Sequence, residues 1–144
     1  MKIAVLFLCT GNSCRSQMAE GWARHLKSDV IEAYSAGTSP HGMNPAAVKV
    51  MAEAGVDISR QDSKHIHDLR GTHLDYVVTV CDNANETCPI LPGNIKRIHA
   101  GFDDPPRLAQ SVPEADKLQI YRRVRDEIRA FIERLPQGLT ECNA

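Results

Sequence analysis

The sequence carries little net charge and has no long hydrophobic run. Its 17 lysines and arginines balance 18 aspartates and glutamates, which leaves a net charge of −1 and argues against a general role on nucleic acids or membrane surfaces. The first apolar run, Ile3 to Leu8, has only six residues and ends in a polar stretch, so it is too short for a signal peptide or a membrane span. We therefore expect a cytoplasmic protein that binds neither nucleic acid nor membrane.

Internal repeats, low-complexity tracts and linkers are also missing from the 144 residues. A chain of this length suits one domain with a hydrophobic core and is too short for two ordinary domains. We expect a single domain over residues 1–144, with a flexible tail after about residue 136. We also expect a monomer.

The five cysteines include no C-x2-C pair. An odd number of cysteines in a reducing compartment argues against a structural disulfide framework, so catalytic use is favoured. A zinc site built from Cys9, Cys14, Cys81 and Cys88 is the alternative. We assign no role to Cys142, which falls in the expected tail.

The apolar pattern predicts alternating strands and helices. Apolar or β-branched runs predict strands over residues 2–8, 30–36, 75–81 and 95–98. Helical spacing predicts helices over 15–27, 44–55 and 113–135, with Asn44 as the N-cap of the second. Short helices are expected within 56–71, where we assign no role to His65 and His67, and a proline-rich loop over 101–111. This alternation is typical of a single three-layer α/β domain whose four-stranded parallel sheet has helices on both faces.

Several reactive side chains follow the predicted strands. Cys9 follows the first strand, Cys81 ends the third, and Asp103 and Asp104 follow the fourth. Because parallel sheets bind ligands at the carboxyl ends of their strands, we expect these residues to share one crevice.

The stretch after the first strand is a tight polar loop that leads into a helix: Cys9-Thr10-Gly11-Asn12-Ser13-Cys14-Arg15-Ser16. Backbone amides and a helix N-terminus then surround one point, which predicts an anion site. Cys9 is the candidate nucleophile, and the helix and the Arg15 guanidinium are expected to lower its pKa. Ser16 is expected to donate its hydroxyl to the Cys9 sulfur. The loop therefore predicts nucleophilic attack by a thiolate on a tetrahedral oxyanion.

The spacing Cys9-x5-Arg15-Ser16 after an N-terminal strand resembles the phosphate loop of the low-molecular-weight protein tyrosine phosphatase fold. The stretches VTVCDNANETCP over residues 78–89 and GFDDP over residues 101–105 resemble the thioredoxin-coupled arsenate reductases built on that fold. The match runs in order through nearly the whole chain. It implies that arsenate is bound by the loop residues Thr10, Gly11, Asn12, Ser13, Cys14 and Arg15.

The resemblance further implies a relay of three thiols and no tightly bound cofactor. Cys9 attacks arsenate, Cys81 attacks Cys9 and releases arsenite, and Cys88 attacks Cys81 to leave a Cys81–Cys88 disulfide for thioredoxin. On a rigid helix these two cysteines, seven residues apart, would lie about 10.5 Å apart along the axis, beyond the ~7 Å reach of a disulfide. The segment between them is therefore expected to unwind as a redox switch. Thioredoxin and another dithiol protein both stay open as the reductant.

An acid must protonate the departing oxygen of arsenate. In the phosphatase fold the acid is the aspartate directly before a proline, which implies Asp104 before Pro105, with Asp103 as the fallback.

A departure from the family concerns monovalent cations. Some relatives bind potassium beside the loop through residues that match Asn12, Glu20 and Ser35 here, together with an acidic residue whose position falls on Lys64. We hypothesise that the Lys64 ammonium replaces potassium and pairs with Glu20.

Two other functions share parts of this pattern. A protein tyrosine phosphatase needs only Cys9, Arg15 and Asp104, but residues 106–108 are not the tyrosines that its members stack on an aryl substrate, and the other two relay thiols would be idle. The third function is a non-catalytic oxyanion or redox sensor, which turnover with a thiol donor would exclude.

Overall fold

The computed structural model describes residues 2–81 and 94–142. In this part of the chain, one parallel sheet holds β1 (Ile3–Cys9), β2 (Ile31–Gly37), β3 (Tyr76–Thr79) and β4 (Lys96–His99) in the order β2-β1-β3-β4. The connection from β1 to β2 runs to one side, and the chain from β3 to β4 runs to the other. Strand order therefore reverses between β1 and β3, the place where doubly wound sheets bind ligands.

Helices flank the sheet, as the sequence predicts for an α/β domain. They are α1 (Arg15–Leu26), α2 (Pro45–Glu53), α3 (Pro105–Ala109), α4 (Lys117–Glu133) and α5 (Gln137–Cys142), with 3-10 turns at Ile66–Leu69 and Glu114–Asp116. No helix of the described ranges is both long and apolar enough to cross a bilayer.

The core forms where β1 and α1 bury their apolar residues. β1 is buried along nearly its whole length because it is a central strand with neighbours on both sides. On α1, Trp22 is fully buried, and its indole nitrogen donates to the Arg125 carbonyl of α4 at 3.2 Å. The Arg129 guanidinium lies over the same ring, 4.9 Å from its centre. Helix α4 thereby holds α1 against the sheet.

The predicted start of α2 is confirmed. The Asn44 side chain accepts hydrogen bonds from the amides of Ala46 at 2.8 Å and Ala47 at 3.2 Å, and Pro45 occupies the first helical position.

The prediction of a loop over 101–111 is wrong for its second half, where α3 forms. Pro105 and Pro106 occupy the first turn of this helix, where a missing N–H costs no helical hydrogen bond. Prolines that predict an irregular loop therefore begin a helix here. Residues 137–142, predicted to be a tail, form α5, in which Leu139 is buried.

Candidate active site

The loop between β1 and α1 is held by the segment that follows β2. Amides of residues 38–44 donate to the loop carbonyls: Thr38 to Cys9, Ser39 to Thr10, His41 to Gly11 and Asn44 to Ser13, at 3.3, 2.9, 2.9 and 2.9 Å. With its carbonyls turned to this segment, the loop presents its amides to the opposite side. No acceptor within the described residues takes a hydrogen bond from the amides of Gly11, Ser13 and Cys14, so they are available to an anion.

Asn12 maintains the shape of the loop rather than lining the cavity. Its φ of 46° lies in the left-handed region, which Asn tolerates better than most residues. The fully buried side chain accepts from the Lys64 amide and donates to Ser16 Oγ, both at 2.9 Å, and Gln17 Nε2 donates to the Asn12 carbonyl at 3.0 Å. Ser16 Oγ accepts this hydrogen bond from Asn12 and forms none with the Cys9 sulfur among the described residues, so the prediction that Ser16 donates to Cys9 is wrong for this arrangement.

Gly37 supports the loop from behind, a role that the sequence did not predict. A Cβ at this residue would lie 2.4 Å from the Thr10 carbonyl oxygen and 3.0 Å from the backbone nitrogen of Asn12. Only glycine lets β2 approach the loop this closely. The only sequence signal for this role is a glycine directly after an apolar strand, and such a glycine is equally typical of a strand that simply ends.

A cavity of about 750 Å³ opens over the loop. Its described walls are most of residues 9–15, together with Cys81 after β3, residues 101–104, Pro106, Arg107 and His41. The predicted convergence of Cys9, Cys81 and the two aspartates at one crevice is thus observed. Sequence reasoning did not identify His41, which belongs to no motif, or Phe102, which lies in the GFDDP stretch but has no predicted role, as wall residues.

Arg15 faces this cavity with an unsatisfied donor. Its Nη1 donates to the Phe102 carbonyl at 2.9 Å, and its Nη2 lies 3.6 Å from Asp104 Oδ1. The buried Nε has no hydrogen-bond partner among the described residues. A buried guanidinium N–H without a partner is costly, and an oxyanion in the cavity would supply the acceptor.

The two aspartates that follow β4 have different partners. Asp104 pairs with Arg15 of the loop, whereas Asp103 Oδ2 lies 3.0 Å from Nη2 of Arg123 on α4. The Asp103 side chain is also more exposed, at 61% against 39% for Asp104. The structure therefore associates Asp104 with the loop arginine and Asp103 with the neighbouring helix.

Three described cysteines, Cys9, Cys14 and Cys81, are buried around the cavity. A hydrogen bond with Cys81, followed by burial, raises the pKa of the Cys9 thiol well above its usual range, while the Arg15 charge and the Thr10 amide lower it by less. The predicted lowering of this pKa is therefore wrong for this arrangement, because a second thiol and the low-polarity surroundings favour the neutral form. Thr10 Oγ1 lies 3.5 Å from Cys81 Sγ.

The remaining cysteine predictions fall partly outside the described residues. Cys88 lies within 82–93, which the structure does not describe, and so does the predicted redox switch. The side chain of Cys142 is also outside the described part. Within the described residues, no group of three or more His, Cys, Asp or Glu side chains is arranged to hold a metal ion.

The predicted Lys64–Glu20 pair is wrong. The buried Glu20 accepts a 2.6 Å hydrogen bond from Ser35 Oγ and pairs at 2.9 Å with Arg24, one turn further along α1. The Lys64 ammonium instead donates to the Asp62 carbonyl at 3.0 Å. Arg24 reaches Glu20 because residues four apart share a helix face, and this local contact supplies the cation.

His65 and His67 take part in a local turn. His65 Nδ1 accepts from the His67 amide at 3.0 Å as part of a capping box with Asp68. Their contacts are those of a turn.

Comparison with known proteins gives consistent results. Residues 4–143 match the family model described as low molecular weight phosphotyrosine protein phosphatase. An arsenate reductase of Shouchella clausii is 50% identical over 136 residues, which cover 94% of this chain and 96% of the relative. An arsenate reductase of Bacillus subtilis is 53% identical over 124 residues, which cover 86% of this chain and 88% of the relative.

Solved structures are similar over the whole fold. A structure described as an arsenate reductase in the phosphate binding state is 31% identical, with a TM-score of 0.73 and coverage of 99% of both chains. A low molecular weight protein tyrosine phosphatase from T. tengcongensis is 28% identical, with a TM-score of 0.70 and coverage of 97% of this chain and 99% of the other.

Proposed function

The chain belongs to the low molecular weight phosphotyrosine protein phosphatase family, and we propose that within this family it is an arsenate reductase that works through a relay of three cysteines. The observation that carries this proposal is the position of Cys81, which shares a hydrogen bond with Cys9 at the cavity that the anion loop lines. Phosphate ester hydrolysis has no use for a second thiol there. A redox reaction on an anion bound at Cys9 requires one.

Arsenate binding would use the loop amides and Arg15. The available amides of Gly11, Ser13 and Cys14 and the unpartnered Nε of Arg15 are all donors, which matches the acceptor oxygens of a tetrahedral oxyanion. The loop then holds the arsenic atom within reach of the Cys9 sulfur.

The first chemical step joins Cys9 to arsenic. The Cys9 thiolate forms a bond from sulfur to arsenic(V), and one arsenic–oxygen bond breaks, with the oxygen leaving as water after protonation. Asp104 is the proposed proton donor because its carboxylate lies 3.6 Å from Arg15, the residue that binds the oxyanion. Asp103, paired with Arg123, is the weaker candidate.

The second and third steps move the oxidation from Cys9 to Cys81 and then to Cys88. The Cys81 thiolate attacks the Cys9 sulfur, the electron pair of the sulfur–arsenic bond stays on arsenic, and arsenite leaves. Cys88 then attacks Cys81 and releases Cys9 as a thiolate. The resulting Cys81–Cys88 disulfide would be reduced by the dithiol of thioredoxin. A solved structure that shares this fold at 24% identity is described as a thioredoxin-dependent arsenate reductase of Corynebacterium glutamicum.

We further propose that the protein acts in the cytoplasm in arsenic detoxification, as a monomer without a tightly bound cofactor. Thioredoxin supplies both electrons in this scheme, so no resident redox group is needed. A weak phosphatase side activity is expected, because phosphate esters present the same tetrahedral oxyanion to the loop.

The test is arsenate-dependent oxidation of NADPH with thioredoxin and thioredoxin reductase. The wild type and Cys142→Ser, a control thiol outside the relay, should turn over. Cys9→Ser, Cys81→Ser and Cys88→Ser should each lose turnover. A wild type that cleaves an aryl phosphate but oxidises no NADPH with arsenate, and whose hydrolysis survives both Cys81→Ser and Cys88→Ser, would instead be a phosphatase. An absence of any turnover would favour the sensor.

A further inference from the structure

The charges that line the cavity leave one guanidinium without a partner. Among the described residues, the charged side chains of the wall are Arg15, Asp103, Asp104 and Arg107. Asp104 lies 3.6 Å from Arg15, and Asp103 lies 3.0 Å from Arg123, which stands outside the wall. Both carboxylates therefore already have a cation beside them.

Arg107 is the exception in this set. It lies on α3, its side chain is exposed, and its guanidinium forms neither a hydrogen bond nor an ion pair with any described residue. Its charge is thus uncompensated at the mouth of a cavity whose other described charges are paired. Such a group raises the local concentration of anions and strengthens their binding.

The described walls offer little surface on which an aryl ring could stack. Phe102 is the wall residue with a hydrocarbon ring, and this ring already packs edge-on against Phe131 of α4, with 6.0 Å between the ring centres. Pro106, beside Arg107, presents a small aliphatic ring. The wall is therefore better matched to a small anion than to the aromatic part of an ester.

We propose that Arg107 is a specificity-determining residue that favours free inorganic oxyanions over aryl esters. This inference rests on the proposed function for the identity of the oxyanion, arsenate. When the loop holds three oxygens, the fourth points to the cavity mouth, away from Cys9. In a free oxyanion that oxygen carries charge or a hydroxyl, which a guanidinium attracts. In an aryl ester it carries the ring.

Arg107 acts on binding and not on bond breaking in this proposal. Its charge would attract the oxyanion as a whole from the cavity mouth and so lower the KM for arsenate and the Kd for phosphate, while protonation of the departing oxygen stays with Asp104 and kcat changes little. Since Arg107 is exposed, its attraction is screened by salt. Removal of the Arg107 charge should therefore weaken anion binding at low salt and have little effect at high salt. A residue with only a structural role would not show this salt dependence.

The experiment compares Arg107→Gln, which removes the charge, with Arg107→Lys, which keeps it. Arg70→Gln is the matched control, since Arg70 is also exposed but lies outside the cavity wall. The first readout is the Kd for inorganic phosphate, measured as protection of Cys9 from alkylation in the reduced protein and followed by mass spectrometry. The second is the pair of KM and kcat values for arsenate and for an aryl phosphate.

At low ionic strength, Arg107→Gln is expected to raise the phosphate Kd and the arsenate KM about fivefold, with kcat and the KM for the aryl phosphate nearly unchanged. Arg107→Lys should retain most of the affinity, and about 0.5 M salt should remove most of the difference between Arg107→Gln and the wild type. A phosphate Kd within about twofold of the wild type, or an equal loss for the aryl phosphate, would overturn the proposal. The phosphate Kd is measured without turnover. It therefore tests this inference even if the protein does not reduce arsenate.

Discussion

Gly37, the last residue of β2, is the position where a single added methyl group would disturb the anion loop most directly. In Gly37→Ala the new Cβ would lie 2.4 Å from the Thr10 carbonyl oxygen, whereas ordinary contact begins at 3.4 Å. The loop would have to retreat by about 1 Å. The obstacle is a backbone atom that also accepts the 2.9 Å hydrogen bond from Ser39, so no side-chain rotation relieves the clash.

Two magnitudes follow from this displacement. Overpacking of a tight site costs about 1–3 kcal/mol of folding free energy, which for a chain of 144 residues lowers Tm by roughly 2–12 °C. A misplacement of about 1 Å in a catalytic loop costs on the order of 10²-fold in rate. The activity loss should therefore exceed what partial unfolding at assay temperature explains.

The assay is kcat for arsenate, together with thermal unfolding followed by circular dichroism. Gly138→Ala is the matched control, because a Cβ there meets only ordinary contacts at 3.5 and 3.6 Å and lies in α5, far along the chain from the loop. It should leave both quantities nearly unchanged. If Gly37→Ala keeps kcat within about threefold of the wild type, the argument that the close approach of β2 fixes the position of the anion loop is refuted.

Three further predictions concern thiols and acids. Cys81→Ala removes the main contribution that raises the Cys9 pKa, so Cys9 should react faster with iodoacetamide near neutral pH; an unchanged rate would contradict the hydrogen bond between the two thiols. Burial raises the pKa of Cys14 to about 12 from 9.0, so as the pH rises the unfolded chain loses this proton before the folded protein does. The free energy of unfolding should therefore fall by about 1.4 kcal/mol by about pH 10 because of this group. Urea unfolding of Cys14→Ala should lack that fall. Asp104→Asn should lower kcat for arsenate by about 10²–10⁴-fold, with a smaller loss for Asp103→Asn, and the reverse order would make Asp103 the acid.

The loop and the alternation of strands and helices were predictable because their signals are local. A thiol, a glycine and an arginine at set spacing after an apolar run specify a strand, a turn and a helix N-terminus within a dozen residues of chain. The N-cap at Asn44 is equally local, since its side chain bonds to amides two and three residues away. Helix α3 was missed because two adjacent prolines fit both a loop and the first turn of a helix.

The cation beside Glu20 was mispredicted for a different reason. Matching residues to positions in other proteins says that Lys64 lies near Glu20, but not where its ammonium points. In the structure Arg24 of the same helix takes that place, and Lys64 turns to the Asp62 carbonyl. The spacing of four residues along the helix favours the pair of Glu20 with Arg24, whereas the direction of the Lys64 side chain depends on packing that the sequence does not show.

The sequence by itself determined the alternation of strands and helices, the composition of the anion loop and the set of candidate thiols and acids, because each depends on residues close together in the chain. Only the tertiary structure decided that Cys81 raises the Cys9 pKa, that Asp104 rather than Asp103 faces Arg15, and that Gly37 must lack a side chain. Each of these depends on distances between residues that are far apart in sequence. Such distances exist only once the sheet has assembled and the helices have packed on it.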